Sequence, residues 1–258
     1  MLISVKELEK ELGNSELLLI DTRSFNEYSE GHIRGSVNLD LFAFHWYDTT
    51  KKGLEDFQRQ AQKIFSYVGV SDKKKVVFYD QVSGMLAARG VWILMYFSHP
   101  NVFMLDGGFT KWKNKELPIE TKTNEFKPAE FSGKINQDII TGFEYIRENL
   151  NKLKIIDARS KEEYDGRVVR AARRGHIPNS VNVDWNLNLA ADGTIKENEE
   201  LSKLYNIPKD KEIVTYCQGA YRAANTFLAL KKIGFKNVKV YLGSWGEWGN
   251  KLDLPVNE

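Results

Sequence analysis

Short apolar runs alternate along this chain with longer segments of helical spacing. The runs span four or five residues and are apolar on both faces, which is typical of parallel strands covered by helices on both sides. They read LLLI (17–20), VVFY (76–79), VFML (102–105), KIID (154–157), IVTY (213–216) and VKVYL (238–242). Residues 84–97 and 221–234 have the length and spacing of helices. Strand–helix–strand order predicts an α/β fold with parallel sheets flanked by helices.

The whole pattern occurs twice. LLLIDTRSFNEY (17–28) matches LKIIDARSKEEY (153–164). Cys217 follows Asp80 by 137 positions and Asp157 follows Asp21 by 136, whereas the two GHI segments at His32 and His176 are 144 positions apart. A period of this length predicts two copies of a whole domain rather than a solenoid. The second copy carries an insertion that includes the arginine-rich stretch Arg167–Arg174.

The repeat also sets the predicted domain borders. Residues 1–120 form the first domain, and residues 138–258 form the second. Residues 121–137 are mostly polar and without a sustained period, so we predict a linker there.

Helix-start signals recur at matching places in the two copies. The capping-box pattern S/T-x-x-E predicts a helix that begins just after its first residue. It occurs at Ser4–Glu7, Ser24–Glu27, Thr141–Glu144 and Ser160–Glu163.

Composition narrows the function classes. The chain has 258 residues, 42% hydrophobic residues and a net charge of +2, which is ordinary for a globular protein and gives no reason to expect nucleic acid or an acidic membrane surface as a partner. No apolar run is long enough to span a bilayer, and no secretory signal is visible, so we expect a cytoplasmic protein. The single cysteine excludes an internal disulfide and a multi-cysteine zinc site, and we predict no metal or cofactor.

That single cysteine, Cys217, ends the apolar run IVTY and precedes a predicted helix. The carboxyl edge of a parallel sheet is where ligands bind in open α/β folds. The backbone N–H groups of a strand–loop–helix turn favour an anion and stabilise a thiolate. Arg222, five residues further on, adds a guanidinium to this loop. We therefore predict a reactive nucleophile rather than a buried structural cysteine.

The first copy lacks this chemistry. Asp80 stands where the second copy has Cys217, and Met85 stands near the place of Arg222. A carboxylate cannot carry sulfur and would repel an anionic donor, so we predict a catalytically silent first domain.

Together these segments resemble the tandem-domain rhodaneses, the thiosulfate and 3-mercaptopyruvate sulfurtransferases. The resemblance covers nearly the whole chain and rests on the motifs DARS (157–160), GHIP (175–178), CQGAYR (217–222) and GSWGEW (243–248). It implies two rhodanese-like domains with only the second active. It also implies a cycle in which Cys217 takes sulfur as a persulfide and passes it to cyanide, a small thiol or a protein thiol.

The resemblance further implies a substrate site. Arg159, in DARS, falls on an arginine that holds the anionic sulfur donor in such enzymes, and a salt bridge within its own domain is the alternative. With Cys217 and Arg222, the remaining loop residues complete the predicted site: Gln218, Gly219, Ala220 and Tyr221. Many such loops have glycine fourth, whereas this loop has Ala220 there, which matters only if that residue needs a positive φ.

Three other functions stay open. The two guanidiniums of Arg159 and Arg222 favour thiosulfate, a compact dianion, as the sulfur donor. The first alternative donor is 3-mercaptopyruvate. A rhodanese-fold phosphatase is disfavoured because its loop reads C-x5-R, one residue longer than the C-x4-R found here. A non-catalytic sulfur carrier is the third. Steering of anionic donors by Arg167–Arg174 is a further possibility beside a plain solvated basic face.

Overall fold

The computed structural model describes residues 1–258, which form two compact units. Unit 1 consists of residues 1–44, 57–136 and 189–195. Unit 2 consists of residues 45–56, 137–188 and 196–258. Each unit thus includes a short segment from the half of the sequence that otherwise forms the other one, which the repeat did not predict.

The first half of the chain contains seven strands and five helices. In chain order they are β1 (Leu2–Ile3), α1 (Val5–Glu9), β2 (Leu17–Asp21), α2 (Phe25–Glu30), β3 (His32–Ile33), β4 (Val37–Asn38), α3 (Lys51–Val68), β5 (Lys75–Tyr79), α4 (Met85–Tyr96), β6 (Val102–Leu105), α5 (Gly108–Asn114) and β7 (Ile119–Glu120). The sheet of unit 1 has the order β1-β6-β5-β2-β4, and its strands are all parallel. The strands β3 and β7 form a separate antiparallel pair.

The second half contains five strands and five helices. In chain order they are β8 (Ile140–Thr141), α6 (Phe143–Asn149), β9 (Lys154–Asp157), α7 (Lys161–Tyr164), β10 (Ser180–Asn182), α8 (Asn198–Leu204), β11 (Ile213–Tyr216), α9 (Tyr221–Lys232), β12 (Val238–Tyr241) and α10 (Ser244–Trp248). Their sheet has the order β10-β9-β11-β12-β8, again with all pairs parallel. The predicted α/β class with two parallel sheets is confirmed.

Three of the four predicted capping boxes are present, with serine and glutamate side chains bonded reciprocally to the backbone at Ser4, Ser24 and Ser160. The fourth, Thr141–Glu144, was wrong. Thr141 pairs with Tyr241 in the sheet, and Gly142 takes the N-cap position of α6 without a side-chain bond. Sheet pairing therefore prevails over the local capping signal. The N–H of Phe143 donates instead to the hydroxyl of Thr49, 3.1 Å away.

The core of unit 2 lies where the second sheet meets its helices. The strands contribute Ile155, Val214, Tyr216 and Tyr241, and α10 contributes Trp245 and Trp248, all buried. Large aromatic side chains from the end of the sheet thus fix α10 against the carboxyl ends of β11 and β12. None of the helices combines the length and apolar composition needed to cross a bilayer.

Candidate active site

Cys217 directly follows β11, the middle strand of the second sheet, and is 1% exposed. The helix α9 begins at Tyr221, so only a short turn separates strand from helix. We call residues 217–222 the Cys217 loop. Its position at the carboxyl edge of the sheet is the one predicted from the apolar run before it.

The backbone after β12 holds the Cys217 loop. The N–H of Trp245 donates to the carbonyl of Cys217 and that of Gly246 to the carbonyl of Gln218, each at 2.9 Å. In unit 1 the corresponding N–H groups of Phe109 and Thr110 donate to the carbonyls of Asp80 and Gln81, also at 2.9 Å. The two halves therefore hold the start of this loop with the same pair of backbone bonds, whereas the N-cap residues differ in conformation, Gly84 with φ −86° and Ala220 with φ +65°.

One side chain after β12 also contacts the Cys217 loop. The Ser244 hydroxyl accepts the N–H of Cys217 at 3.2 Å and that of Ala220 at 3.1 Å, and it donates to the carbonyl of Tyr241 at 2.9 Å. We did not predict a role for Ser244 from the sequence. The feature that could have indicated one is the serine in GSWGEW, because the first copy has Gly108 at the corresponding position.

Ala220 lies at the turn with φ +65° and ψ 12°, in the left-handed region. This conformation favours glycine over alanine because a Cβ atom crowds the adjacent backbone there. Ala220 therefore has the positive φ at which alanine instead of glycine matters in this loop.

Arg222 is paired with a carboxylate of its own domain. Its two terminal nitrogens donate to the two oxygens of Glu163 at 2.5 and 3.0 Å. Glu163 is 3% exposed and also closes the capping box of α7. Burial works to lower the pKa of Arg222, but its hydrogen bonds to Glu163 and its electrostatic interactions with Cys217 and Glu163 raise it above its usual value. The guanidinium thus stays charged beside the cysteine.

The pKa of Glu163 shifts in the opposite direction to that of Arg222. Burial would raise its pKa, but the hydrogen bonds and charge of Arg222 outweigh burial and lower it below the usual value. Arg170 adds a longer contact, with its Nε 3.4 Å from Glu163. These groups form one cluster with two positive charges and one negative charge.

Arg159 is buried, with 1% of its surface exposed. Its guanidinium donates to both oxygens of Asp157 and to the carbonyl of Gly175, and its Cζ lies 4.6 Å from the ring centre of Trp245. These contacts match the salt-bridge alternative. In unit 1, Arg23 makes the same bonds to Asp21 and the carbonyl of Gly31 although that half has no cysteine.

The repetition of this pairing in both halves gives Arg159 a structural explanation that needs no substrate. Its donor-binding role stays a prediction.

The other predicted loop residues lie together in unit 2 with residues 45–56. The Tyr221 hydroxyl is 2.7 Å from Nδ1 of His45, and the ring of Tyr47 lies close to Gly219. The amide of Gln218 donates to the carbonyl of Arg170 at 3.0 Å.

The segment 45–56 is held by a buried carboxylate. Glu247, in α10, accepts the N–H of Thr49 at 2.8 Å, the Thr49 hydroxyl at 2.5 Å and the Tyr241 hydroxyl at 2.8 Å. Burial raises the pKa of Glu247, and the Thr49 hydrogen bonds oppose the rise. The contact between Thr49 and Glu247 was not predicted from the sequence, because the two residues lie 198 positions apart.

The arginines of the insertion are mostly paired within the same domain. Arg173 donates to the backbone carbonyls of Trp248, Lys251 and Leu254, and Arg174 pairs with Glu258. These bonds fix the insertion to the end of the chain. Steering of donors by this segment stays a prediction.

In the first half, the Asp80 carboxylate faces its own loop. Its two oxygens accept the N–H groups of Gln81 at 2.7 Å and of Leu86 at 3.1 Å. Burial raises the pKa of this carboxyl, and the two hydrogen bonds oppose the rise. The loop at this sheet edge therefore places an acidic side chain among N–H donors, and an anion among such donors is what we predicted for the corresponding loop of the second half.

Both halves of the chain are similar in sequence to known proteins. The profile of the Rhodanese-like domain matches the chain twice, over residues 4–115 and 143–251. The thiosulfate sulfurtransferase of Azotobacter vinelandii is 32% identical over 261 residues, which cover 99% of this chain and 96% of the relative. The sulfur carrier protein TtuD of Thermus thermophilus is 31% identical over 247 residues, which cover 89% of this chain and 86% of the relative.

One solved structure of similar sequence also has the same fold. SseA from Escherichia coli, a 3-mercaptopyruvate sulfotransferase, superposes with a TM-score of 0.80 and 28% identity, covering 95% of this chain and 98% of that protein.

Proposed function

Because this chain belongs to the rhodanese-like family, with one such domain in each half, we propose that it is a sulfurtransferase that carries sulfur from thiosulfate to cyanide or another thiophile on Cys217. The observation that carries the proposal is the position of Cys217. It lies at the carboxyl end of the central strand, in a loop that leads into α9 and ends in a charged arginine. A relative of nearly equal length named thiosulfate sulfurtransferase supports the choice of donor.

The proposed cycle has two displacement steps. The Cys217 thiolate attacks the outer sulfur of thiosulfate, an S–S bond forms on the enzyme, and the bond to the inner sulfur breaks with its electron pair leaving on sulfite. Cyanide then attacks the outer sulfur of the persulfide, thiocyanate leaves, and the thiolate is restored. Neither step needs a metal or a redox cofactor, since both are nucleophilic substitutions at sulfur.

Arg222 is proposed to stabilise the charges that develop at Cys217. Thiosulfate and sulfite are both dianions, so a fixed guanidinium near the reacting sulfur favours the ground state and the transition state. Glu163 orients that guanidinium and neutralises part of its charge.

The first test removes the nucleophile. We expect Cys217→Ser to fold as wild type and to lose sulfur transfer, because the chain has no second cysteine to replace it. Mass spectrometry after incubation with excess thiosulfate should show one added sulfur atom on wild type, removable by cyanide, and none on the variant. Appreciable turnover by Cys217→Ser would contradict the persulfide cycle.

The second test concerns the donor. We expect wild type to prefer thiosulfate over 3-mercaptopyruvate in kcat/KM. Arg222→Ala should lose roughly 10- to 100-fold in kcat/KM on thiosulfate, the usual cost of removing one preorganised charged donor when its carboxylate partner already offsets part of its charge. The matched control Arg147→Ala removes a half-exposed arginine of α6 and should change neither donor. A wild-type preference for 3-mercaptopyruvate would contradict the argument from charge.

Two alternatives have support from relatives. SseA, a 3-mercaptopyruvate sulfotransferase, supports 3-mercaptopyruvate as a donor, and TtuD, a sulfur carrier protein, supports a sulfur-carrier role. The thiosulfate assay distinguishes the first, and transfer of labelled sulfur to a protein acceptor tests the second. Phosphatase activity on aryl phosphates should be negligible, since the Cys217 loop is one residue shorter than the phosphatase loop. The cytoplasmic location stays a prediction.

A further inference from the structure

The turn between a buried strand and a buried helix leaves backbone N–H groups inside the protein, where each needs an acceptor. The two halves of this chain meet that need differently. In the first half the Asp80 carboxylate accepts the N–H groups of Gln81 and Leu86. The second half has a cysteine at this position, and there a side chain outside the turn accepts two different N–H groups, those of Cys217 and Ala220.

That side chain is Ser244. It is fully buried, and its hydroxyl accepts the N–H groups of Cys217 and Ala220 and donates to the carbonyl of Tyr241. A hydroxyl has one proton and two lone pairs, so all of its hydrogen-bonding capacity is used within the protein. Ser244 therefore joins both ends of the turn to the end of β12.

The backbone of Ser244 indicates that this hydroxyl has a specific role. Its φ is +52°, in the left-handed region where glycine is favoured. The first copy has glycine at the corresponding position, Gly108, with φ +58°. A Cβ atom on Gly108 would come within 2.5 Å of the carbonyl oxygens of Asp80 and Val82, so a serine does not fit there. Only the half with a cysteine has room for the hydroxyl and uses it.

We propose that Ser244 is a positioning residue for sulfur transfer, which fixes the Cys217 loop through two N–H groups so that the sulfur of Cys217 is presented in one geometry. The inference rests on the proposed function. Because the hydroxyl is saturated by Cys217, Ala220 and Tyr241, it does not bind the donor. Its removal should therefore affect the reaction steps at Cys217 more than the binding of thiosulfate.

Two variants separate the hydroxyl from the backbone strain. Ser244→Ala removes the hydroxyl and keeps a side chain at positive φ, whereas Ser244→Gly removes it and places the residue of the silent half there. Ser83→Ala is the matched control, since the Ser83 hydroxyl is also buried and bonds the backbone of the silent half, at the N–H of Gly107.

The activity readout is the split between kcat and KM. We expect both Ser244 variants to lose about 10- to 100-fold in kcat on thiosulfate, corresponding to two hydrogen bonds that each contribute roughly a factor of three to ten. The KM should change less than about threefold, and Ser83→Ala should keep the kcat of wild type. Wild-type kcat in Ser244→Gly, or a loss that lies entirely in KM, would overturn the proposal.

A second readout does not depend on sulfur transfer. Amide hydrogen exchange followed by NMR should show faster exchange of the Cys217 and Ala220 N–H groups in both Ser244 variants, by at least about tenfold. Unchanged protection would show that the hydroxyl does not hold the loop. If wild type takes up no sulfur from thiosulfate, the proposed function fails on its own, while the exchange rates still decide whether Ser244 fixes the turn.

Discussion

Ala220 illustrates how one residue can be at odds with the conformation that its surroundings impose. Its φ of +65° is set by the turn between β11 and α9 and by the bond from its N–H to Ser244. An alanine in the left-handed region costs roughly 1 kcal/mol relative to glycine. The Cys217 loop therefore contains strain that the fold outweighs elsewhere.

We expect Ala220→Gly to leave the free energy of unfolding unchanged or to raise it by up to about 1 kcal/mol, because relief of strain offsets the greater entropy of glycine in the unfolded chain. The control Ala229→Gly, in the interior of α9 and fully buried, should lower it by about 1 kcal/mol or more. Urea unfolding followed by tryptophan fluorescence measures both. Equal destabilisation by the two substitutions would show that the turn does not strain Ala220.

At the scale of elements, α7 and α9 are joined through one carboxylate. Glu163 closes the capping box of α7 and holds Arg222 in the first turn of α9 with two hydrogen bonds. The first half has the same capping box at Ser24 and Glu27, and Glu27 is exposed. The cap is thus common to both halves, and the pairing of its glutamate with an arginine of the loop occurs in the second half.

This pairing predicts a pH dependence. The folded-state pKa of Glu163 is lowered below 4.5, so its stabilising contribution is present above the unfolded value and is lost as pH falls through the folded value. We expect Glu163→Gln to lower the free energy of unfolding by about 1–3 kcal/mol at neutral pH, the typical value of hydrogen bonds between charged groups. The difference from wild type should shrink as the pH falls below 4.5.

Glu27→Gln is the control for the capping box alone. It should cost less than about 1 kcal/mol at neutral pH because its carboxylate is exposed. Denaturation curves of the three proteins over a range of acidic pH values measure these differences. A deficit in Glu163→Gln that stays constant down to the lowest pH would contradict the assignment to the ionised carboxylate.

At the scale of the whole molecule, the chain contains two copies of one domain that differ in what occupies the same loop position. The first has a carboxylate that satisfies two of its own N–H groups, and the second has a thiol with Ser244 in support. The pair of backbone bonds that holds the start of the loop is the same in both. The fold of each half therefore does not require a cysteine at this position.

We expect Asp80→Ala to keep kcat/KM within about threefold of wild type, a change of less than 1 kcal/mol. It should lower the free energy of unfolding by about 1 kcal/mol because the N–H groups of Gln81 and Leu86 lose their hydrogen bonds to the carboxylate. The matched substitution Cys217→Ala should show the reverse, with activity lost and stability nearly kept. A hundredfold loss of activity in folded Asp80→Ala would show that the first half takes part in the chemistry.

The sequence by itself determined six of the twelve strands, the helices α4 and α9, three further helix starts, the duplication and the position of Cys217 at the end of a strand. These features depend on local apolar periodicity and on spacing along the chain, both of which can be read from the sequence alone. The prediction of a silent first half also needed only the comparison of Asp80 with Cys217. Motif resemblance then gave the family, which the profile match confirms.

Only the tertiary structure decided how the Cys217 loop is held. Glu163 and Arg222 are 59 positions apart, and the φ of Ala220 and Ser244 depends on how the turn packs against the end of β12. The failed capping box at Thr141 has the same cause, since a sheet partner 100 positions away engages that residue. Contacts between distant residues leave no periodic signal, so the fold has to form before the partners of each buried polar group are known.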